Sequence, residues 1–432
     1  SSPHVSFLGA LTSLSKDQIK QAGQRYTPGV DPNAPNLRIE SLFTAIENVA
    51  CGAEALARFE GVLGAFSKAW GSARNCSQRR DAIQTQTDNA HKFLPSIMSR
   101  LRARDARAAD EWSEQLGRLQ SDLEADMDHW RAEDAKLSLA TGDGGYSSER
   151  NTVRGNMSAI GRWLVVVRDE REFVQSAAFK VLFDPLLLVS GEWGTGKTHL
   201  LCDVTQMRIA RGQATVFVLA KNFEGRVVAE ICGLIKAGRG EDEIFDQLQA
   251  LADERGERAV VIVDGVNEGR RREWREAVST LQSLIASRPS VGLIVTCRTP
   301  FESIAIEQND LDKFRKVTHL GFDDQEFDAQ AAFFEYYSLP LPKVPLLDRE
   351  FSRPLTLKLI CQSLQNLTGK KLAKGFAGIA SGQKGMTFVL ESFVKRVGEP
   401  IEGEFGLNAK GCWFLLKGSD QIADRRLAGF AP

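Results

Sequence analysis

Apolar residues fall along this chain in two kinds of pattern. From Leu37, the positions Leu42, Ile46 and Val49, then Leu56, Phe59, Leu63 and Phe66, recur at threes and fours, the period of one helical face. Residues 93–140 continue as one or two long helices, with Leu101, Trp112, Leu116, Leu119, Leu123, Met127 and Trp130 set among dense Arg, Asp and Glu. Sustained heptads with ordered flanking charges are missing, so this stretch predicts the solvated arm of a helical bundle in preference to a coiled-coil rod. Ahead of it, residues 1–35 are rich in Pro, Gly, Ser and Asn, and QAGQRYTPGVDPNAPN in particular predicts an irregular segment leading into helix. TGDGGYSS at 141–148 is a Gly/Ser linker and marks the domain border.

Beyond a helical approach over 149–180, the pattern changes to apolar runs of strand length: LLLVS (186–190), TVFVLA (215–220), AVVIVD (259–264) and VGLIVTC (291–297). Continuous apolar strands alternating with helices predict a parallel sheet covered on both faces, hence an α/β fold of the doubly wound kind. From about 306 the pattern returns to helix, over Phe327–Tyr337 and Pro354–Leu367. No repeat of 20–50 residues is present.

At 432 residues the chain predicts two to four domains. Its 43% hydrophobic and 26% charged content excludes a largely disordered chain. Lys plus Arg number 55 against 56 for Asp plus Glu, so no whole-chain field favours nucleic acid or an anionic membrane. Cys51, Cys76, Cys202, Cys232, Cys297, Cys361 and Cys412 are scattered and without a CxxC pair, and read as reduced thiols. With no apolar run of membrane length and no basic region in SSPHVSFLGA, the expectation is a cytoplasmic protein.

The first apolar strand runs into Gly191-Glu192-Trp193-Gly194-Thr195-Gly196-Lys197-Thr198, a G-x4-G-K-[ST] phosphate loop in its required place between strand and helix. Phosphate needs many close donors, which backbone N–H groups supply only where side chains stand aside; hence Gly191, Gly194 and Gly196. The helix adds its positive N-terminal end. Lys197 offers a cation to the β/γ oxygens and Thr198 a hydroxyl to Mg²⁺. His199 opens the helix, near the expected α-phosphate. A second apolar strand should end in an acid that reaches the metal, and AVVIVD ends in Asp264. Four residues on, Glu268 in DGVNEG is placed to orient or deprotonate an attacking water. The alternative is that Asn267 and Glu268 merely cap the helix beginning near Arg271. VGLIVTC is followed by Arg298, a cation at the same edge of the sheet as the phosphates. Arg270, Arg271 and Arg272 read first as a solvated helix start and second as a contact to a neighbouring subunit's nucleotide. No guanine-selecting N-K-x-D is apparent, which favours ATP over GTP.

The stretch from about 183 to 370 resembles the STAND class of P-loop NTPases, which includes NACHT and NB-ARC switches, and most resembles its bacterial antiviral (AVAST-type) branch. Five ordered blocks carry the likeness: GEWGTGKTHLLCDV, ERAVVIVDGVNEGRRREW, RPSVGLIVTCRTPFE, VTHLGFDDQEFDAQAAFFEYY and FSRPLTLKLICQSL. Asn267 stands where that class often has Asp, Glu268 is kept, and Arg353 stands where Asn often precedes the Pro. The resemblance implies that Arg298 senses the γ-phosphate and that Pro354, in a helical lid, packs on the adenine. RYTP at 25–28 resembles the connector found ahead of the ATPase in such proteins. Residues 381–432 resemble only the start of the winged-helix element that follows the lid, so the expectation is a shortened chain whose effector and sensor lie elsewhere.

These readings predict a helical N-terminal module at 1–140, the linker at 141–148, a P-loop nucleotide-binding domain at 149–305, a helical lid at 306–380 and a partial winged-helix-like tail at 381–432. The expected function is an ATP-hydrolysing molecular switch with ATP and Mg²⁺ as cofactors. Its expected partners are copies of itself and a protein trigger that the sequence does not identify, a viral protein being one candidate, with neither membrane nor nucleic acid indicated. The rivals are an AAA+-like motor or loader acting on protein or nucleic acid, and a non-hydrolysing scaffold.

Overall fold

The computed structural model describes residues 3–27, 43, 45–46, 61–62, 64–65, 68–73, 77–102, 107–141, 148–235, 239–322, 325–341, 349–365 and 367–379. The chain forms two compact units: Ser1–Tyr26 with Arg38–Gly191 and Leu200–Thr318, and Thr27–Leu37 with Glu192–His199 and His319–Pro432.

In the first unit, helix α1 (Pro3–Ala22) is followed by α2 (Arg80–Arg102), α3 (Arg107–Thr141), α4 (Ser148–Gln175) and α5 (Ala177–Val181). Ion pairs and hydrogen bonds link Asp134 to Arg150, Glu124 to Arg168 and Ser113 to Gln175, which fixes α3 and α4 as antiparallel neighbours. Between them the apolar stripe read from the sequence closes into a core: Trp112, Leu116, Leu119 and Leu123 meet Ile160, Trp163 and Val167.

The rest of this unit alternates strand and helix: β1 (Leu186–Ser190), α6 (Lys197–Ala210, whose residues up to His199 are counted with the second unit), β2 (Thr215–Leu219), α7 (Val227–Ile235), α8 (Glu241–Arg255), β3 (Ala259–Asp264), α9 (Arg271–Ala286), β4 (Val291–Thr296) and β5 (Arg315–Thr318). The five strands form one sheet in the order β2-β3-β4-β1-β5, and every pairing is parallel. Strands β1 to β4 are buried at every position, as expected of strands covered on both faces. β4 lies between β1 and β3, with Val189 level with Thr296 and Val263 level with Val295. The C-terminal ends of β1, β3 and β4 therefore bring Gly191, Asp264 and Thr296 to one edge.

Two expectations are corrected. Helix begins well before Leu37, because Pro3–Ala22 is helical, its Phe7, Leu11 and Leu14 join the sheet's core, and it takes in the first two residues of QAGQRYTPGVDPNAPN. The apolar spacing of those residues outweighs the Gly and Ser among them. The sheet also does not end with β4, since β5 falls in the stretch read as helical lid. Its sequence RKVT alternates half-buried and exposed positions and so lacks the apolar run that revealed the other strands. Of the face read from Leu37 to Phe66, Ile46 is helical and buried. Leu42, Val49, Leu56, Phe59, Leu63 and Phe66 lie outside the described residues, as do 142–147 of the linker and the tail 381–432.

The second unit contains α10 (Glu326–Tyr336), α11 (Pro354–Leu364) and α12 (Gly369–Ile379) around Phe333, Phe334, Leu357, Ile360 and Leu364. Pro354 occupies the first turn of α11, where its fixed φ suits a helix and its missing N–H costs nothing. Among the described residues no helix is long and apolar enough to cross a membrane.

Candidate functional site

Strand β1 delivers the chain into the loop 191–196, and α6 begins at Lys197. Gly194 and Gly196 have φ of +81° and +96°, which side chains rarely adopt. Space is tight at Gly196 as well: a Cβ there would stand 3.1 Å from Pro354 Cγ, so the proline ring would have to shift. The Lys197 ammonium donates to the Glu192 carbonyl at 2.8 Å and to Thr195 Oγ1 at 3.4 Å, so the lysine lies back across its own loop. Thr195 also donates to the Glu192 carbonyl.

The start of α11 rests on the same loop. The Leu355 N–H donates to the Gly194 carbonyl at 3.2 Å, and Arg353 pairs with Glu192. Pro354 is thus placed against Gly196. His319 is buried beside Lys197, and its pKa is pushed down to about 4, first by burial and then by the lysine's charge, against a hydrogen bond with the Thr195 backbone. Trp193 is exposed, and His199 Nδ1 accepts from the Thr27 N–H at 3.3 Å.

A second group of residues gathers where β3 and β4 end. Asp264 is buried, and Thr296 on the adjacent strand donates to its Oδ1 at 2.7 Å while accepting from the Gly265 N–H, also at 2.7 Å. Gly265, at φ +73°, turns the chain into a short 3₁₀ turn, Val266–Glu268. Glu268 Oε1 accepts from Arg298 at 2.6 Å, and Oε2 accepts from Arg25 at 2.5 Å. Burial alone would push the Glu268 carboxyl up, but the hydrogen bonds and charges of Arg25 and Arg298 outweigh it and hold the group below the usual carboxylate range. Asn267 Oδ1 accepts from the Arg298 N–H at 2.9 Å, so its side chain shapes this turn. The Cys202 thiol on α6 is raised by burial and then by the charges of Asp264 and Asp203, which puts α6 within the electrostatic reach of Asp264.

Sequence reasoning named Asp264, Glu268 and Arg298, and the structure brings these three together. It likewise brings Lys197, Glu192, Thr195 and Gly196 together with Pro354. Arg270, Arg271 and Arg272 are engaged locally, with Glu224 and Glu273, the Ile304 carbonyl, and Glu276. Three residues were missed: Thr296, Arg25 and His319. Thr296 had a signal, as a polar residue ending an apolar strand. Arg25 had one in RYTP, and His319 had none.

No protein-family model matches the chain, and no curated protein matches it. Among solved structures, that of C. elegans PCH-2 is similar over 50% of this chain at 16% identity, with a TM-score of 0.24. The match spans 62% of that chain, under two thirds of its length. At that score the likeness fixes neither fold nor activity.

Proposed function

We propose that this chain binds ATP with Mg²⁺ and hydrolyses it slowly, as a P-loop switch of the STAND type. The observation that carries this reading is the loop itself. A buried strand leads through glycines held at positive φ into a helix that starts on Lys197. Backbone N–H groups and a helix N-terminus together suit a polyphosphate. The Glu192 carbonyl that Lys197 now contacts is a weak substitute for a phosphate oxygen, so the lysine has a reason to exchange partners.

The donors read for the metal are hard oxygens, the Thr198 hydroxyl and the Asp264 carboxylate, which fit Mg²⁺. Bound there, Mg²⁺ would neutralise charge on the phosphate oxygens. Thr296 fixes the orientation of Asp264, Glu268 is the candidate to orient and deprotonate water, Arg298 the candidate γ-phosphate sensor, and Pro354 the residue closing over the nucleotide. A doubly wound core, a cytoplasmic location, nucleotide-driven self-association and a role in antiviral signalling belong to the same proposal.

The test is titration of wild type and Lys197→Ala with a fluorescent ATP analogue, with circular dichroism to verify folding. Loss of most affinity in a folded variant is expected. Unchanged affinity would remove the site assignment. Turnover strongly stimulated by a protein or nucleic-acid polymer would instead favour a motor.

A further inference from the structure

The acid read as activating water is held from a direction that the nucleotide-site motifs do not explain. Arg25 lies 243 positions from Glu268 in sequence, yet its guanidinium meets Oε2 at 2.5 Å while Arg298 meets Oε1 at 2.6 Å. Both carboxylate oxygens are therefore committed to charge-assisted bonds, which are about twice as strong as neutral ones.

The placement of Arg25 is built, step by step, from α1. Ser15 and Gln18 bond the backbone of β2, and Phe7, Leu11 and Leu14 sit in the sheet's core, so the helix is fixed. Gly23, at φ +56°, then opens a 3₁₀ turn that ends on Arg25. The next residue, Tyr26, is extended and donates its hydroxyl proton to Asp203 on α6 at 2.7 Å. Arg25 is thus tethered on both sides, while its side chain remains 39% exposed against 17% for Glu268. Withdrawing it returns a guanidinium to water at small cost.

We propose that Arg25 is a restraining residue for Glu268: it holds one oxygen of the carboxylate away from water, and hydrolysis reaches its full rate only when the Arg25 side chain swings out into solvent while its tethered backbone stays in place. This rests on reading Glu268 as the acid that acts on water. The lowered proton affinity of Glu268 agrees with it, since a carboxylate between two guanidinium groups is a poor base. Arg25 makes a single contact to one oxygen, so a lysine can stand in for it.

The experiment measures ATP affinity and single-turnover hydrolysis for the full chain as wild type, Arg25→Ala, Arg25→Gln, Arg25→Lys and Arg25→Ala combined with Glu268→Gln. Both neutral variants should hydrolyse about fivefold faster, the change expected on losing a partly exposed ion pair, with ATP affinity unchanged. Arg25→Lys should return to the wild-type rate, and the double variant should lose the gain. Neutral variants at or below the wild-type rate overturn the restraint alone, as does a lysine variant as fast as alanine. Wild-type protein that binds no nucleotide overturns the reading of the site and the restraint with it.

Discussion

A carboxylate's role is set by what holds each of its oxygens, and the two acids of the candidate site differ in this. Asp264 is buried and oriented by a neutral hydroxyl, as suits a metal ligand, whereas Glu268 lies between two cations. Glu268→Gln should keep ATP affinity and lower single-turnover hydrolysis on the order of 10² to 10⁴ fold, because an amide cannot accept a proton from water. Asp264→Asn should instead raise the Mg²⁺ concentration needed for ATP binding as well as slow turnover. Titrating both variants with Mg²⁺ separates the roles, and identical behaviour would reject the division. Thr296→Val tests the orienting hydroxyl. It leaves the Gly265 N–H without its acceptor, at a cost of about 1–3 kcal/mol read from the urea midpoint, and should shift the Mg²⁺ dependence in the same direction as Asp264→Asn.

At the scale of elements, α1 acts as a cover for the sheet's edge. Among the described residues β2 is the sheet's edge strand, and an open edge offers unpaired backbone groups to other chains. Ser15 accepts from the Phe217 N–H and donates to the Thr215 carbonyl, both at 3.0 Å, and Gln18 accepts from the Leu219 N–H at 3.1 Å. Side chains thus do for β2 what a further strand would do. Ser15→Ala should lower stability by about 1–3 kcal/mol and speed hydrogen exchange at Phe217. Combining it with Gln18→Ala should add exchange at Leu219 and promote self-association detectable by light scattering. Exchange at both amides as slow as in wild type would show that the cover is redundant. Neither the helix over Phe7, Leu11 and Leu14, masked by the turn-forming residues around it, nor the strand that its polar face meets was read from the sequence.

For the whole molecule, the buried His319 makes stability depend on pH. Its folded pKa, about 4, lies below the value near 6.5 of an unfolded histidine. Between those values the unfolded chain binds the proton and the folded chain does not. Stability is therefore fully present above about pH 6.5 and falls as pH drops toward 4, by at most about 3 kcal/mol. Urea midpoints across this window should slope downward for wild type, and His319→Gln should flatten that slope. An equal slope in both would assign the loss to other groups. If nucleotide drives self-association, Glu268→Gln with Mg²⁺ and ATP should hold a larger mass for longer than wild type, because slowed hydrolysis retains the bound state. A mass independent of nucleotide in both proteins would count against it.

The sequence alone determined the four apolar strands, the glycine spacing of the loop, and the acid and the arginine that follow two of those strands. Each of these depends on local backbone conformation or on continuous burial, both of which leave a mark within a short window of residues. Only the tertiary structure decided that Arg25 reaches Glu268, that Thr296 steers Asp264, that α1 covers β2, and that His319 lies beside Lys197. These pairings join residues far apart in the chain. They depend on parallel strand order and register, which place side chains together without any local pattern to announce them.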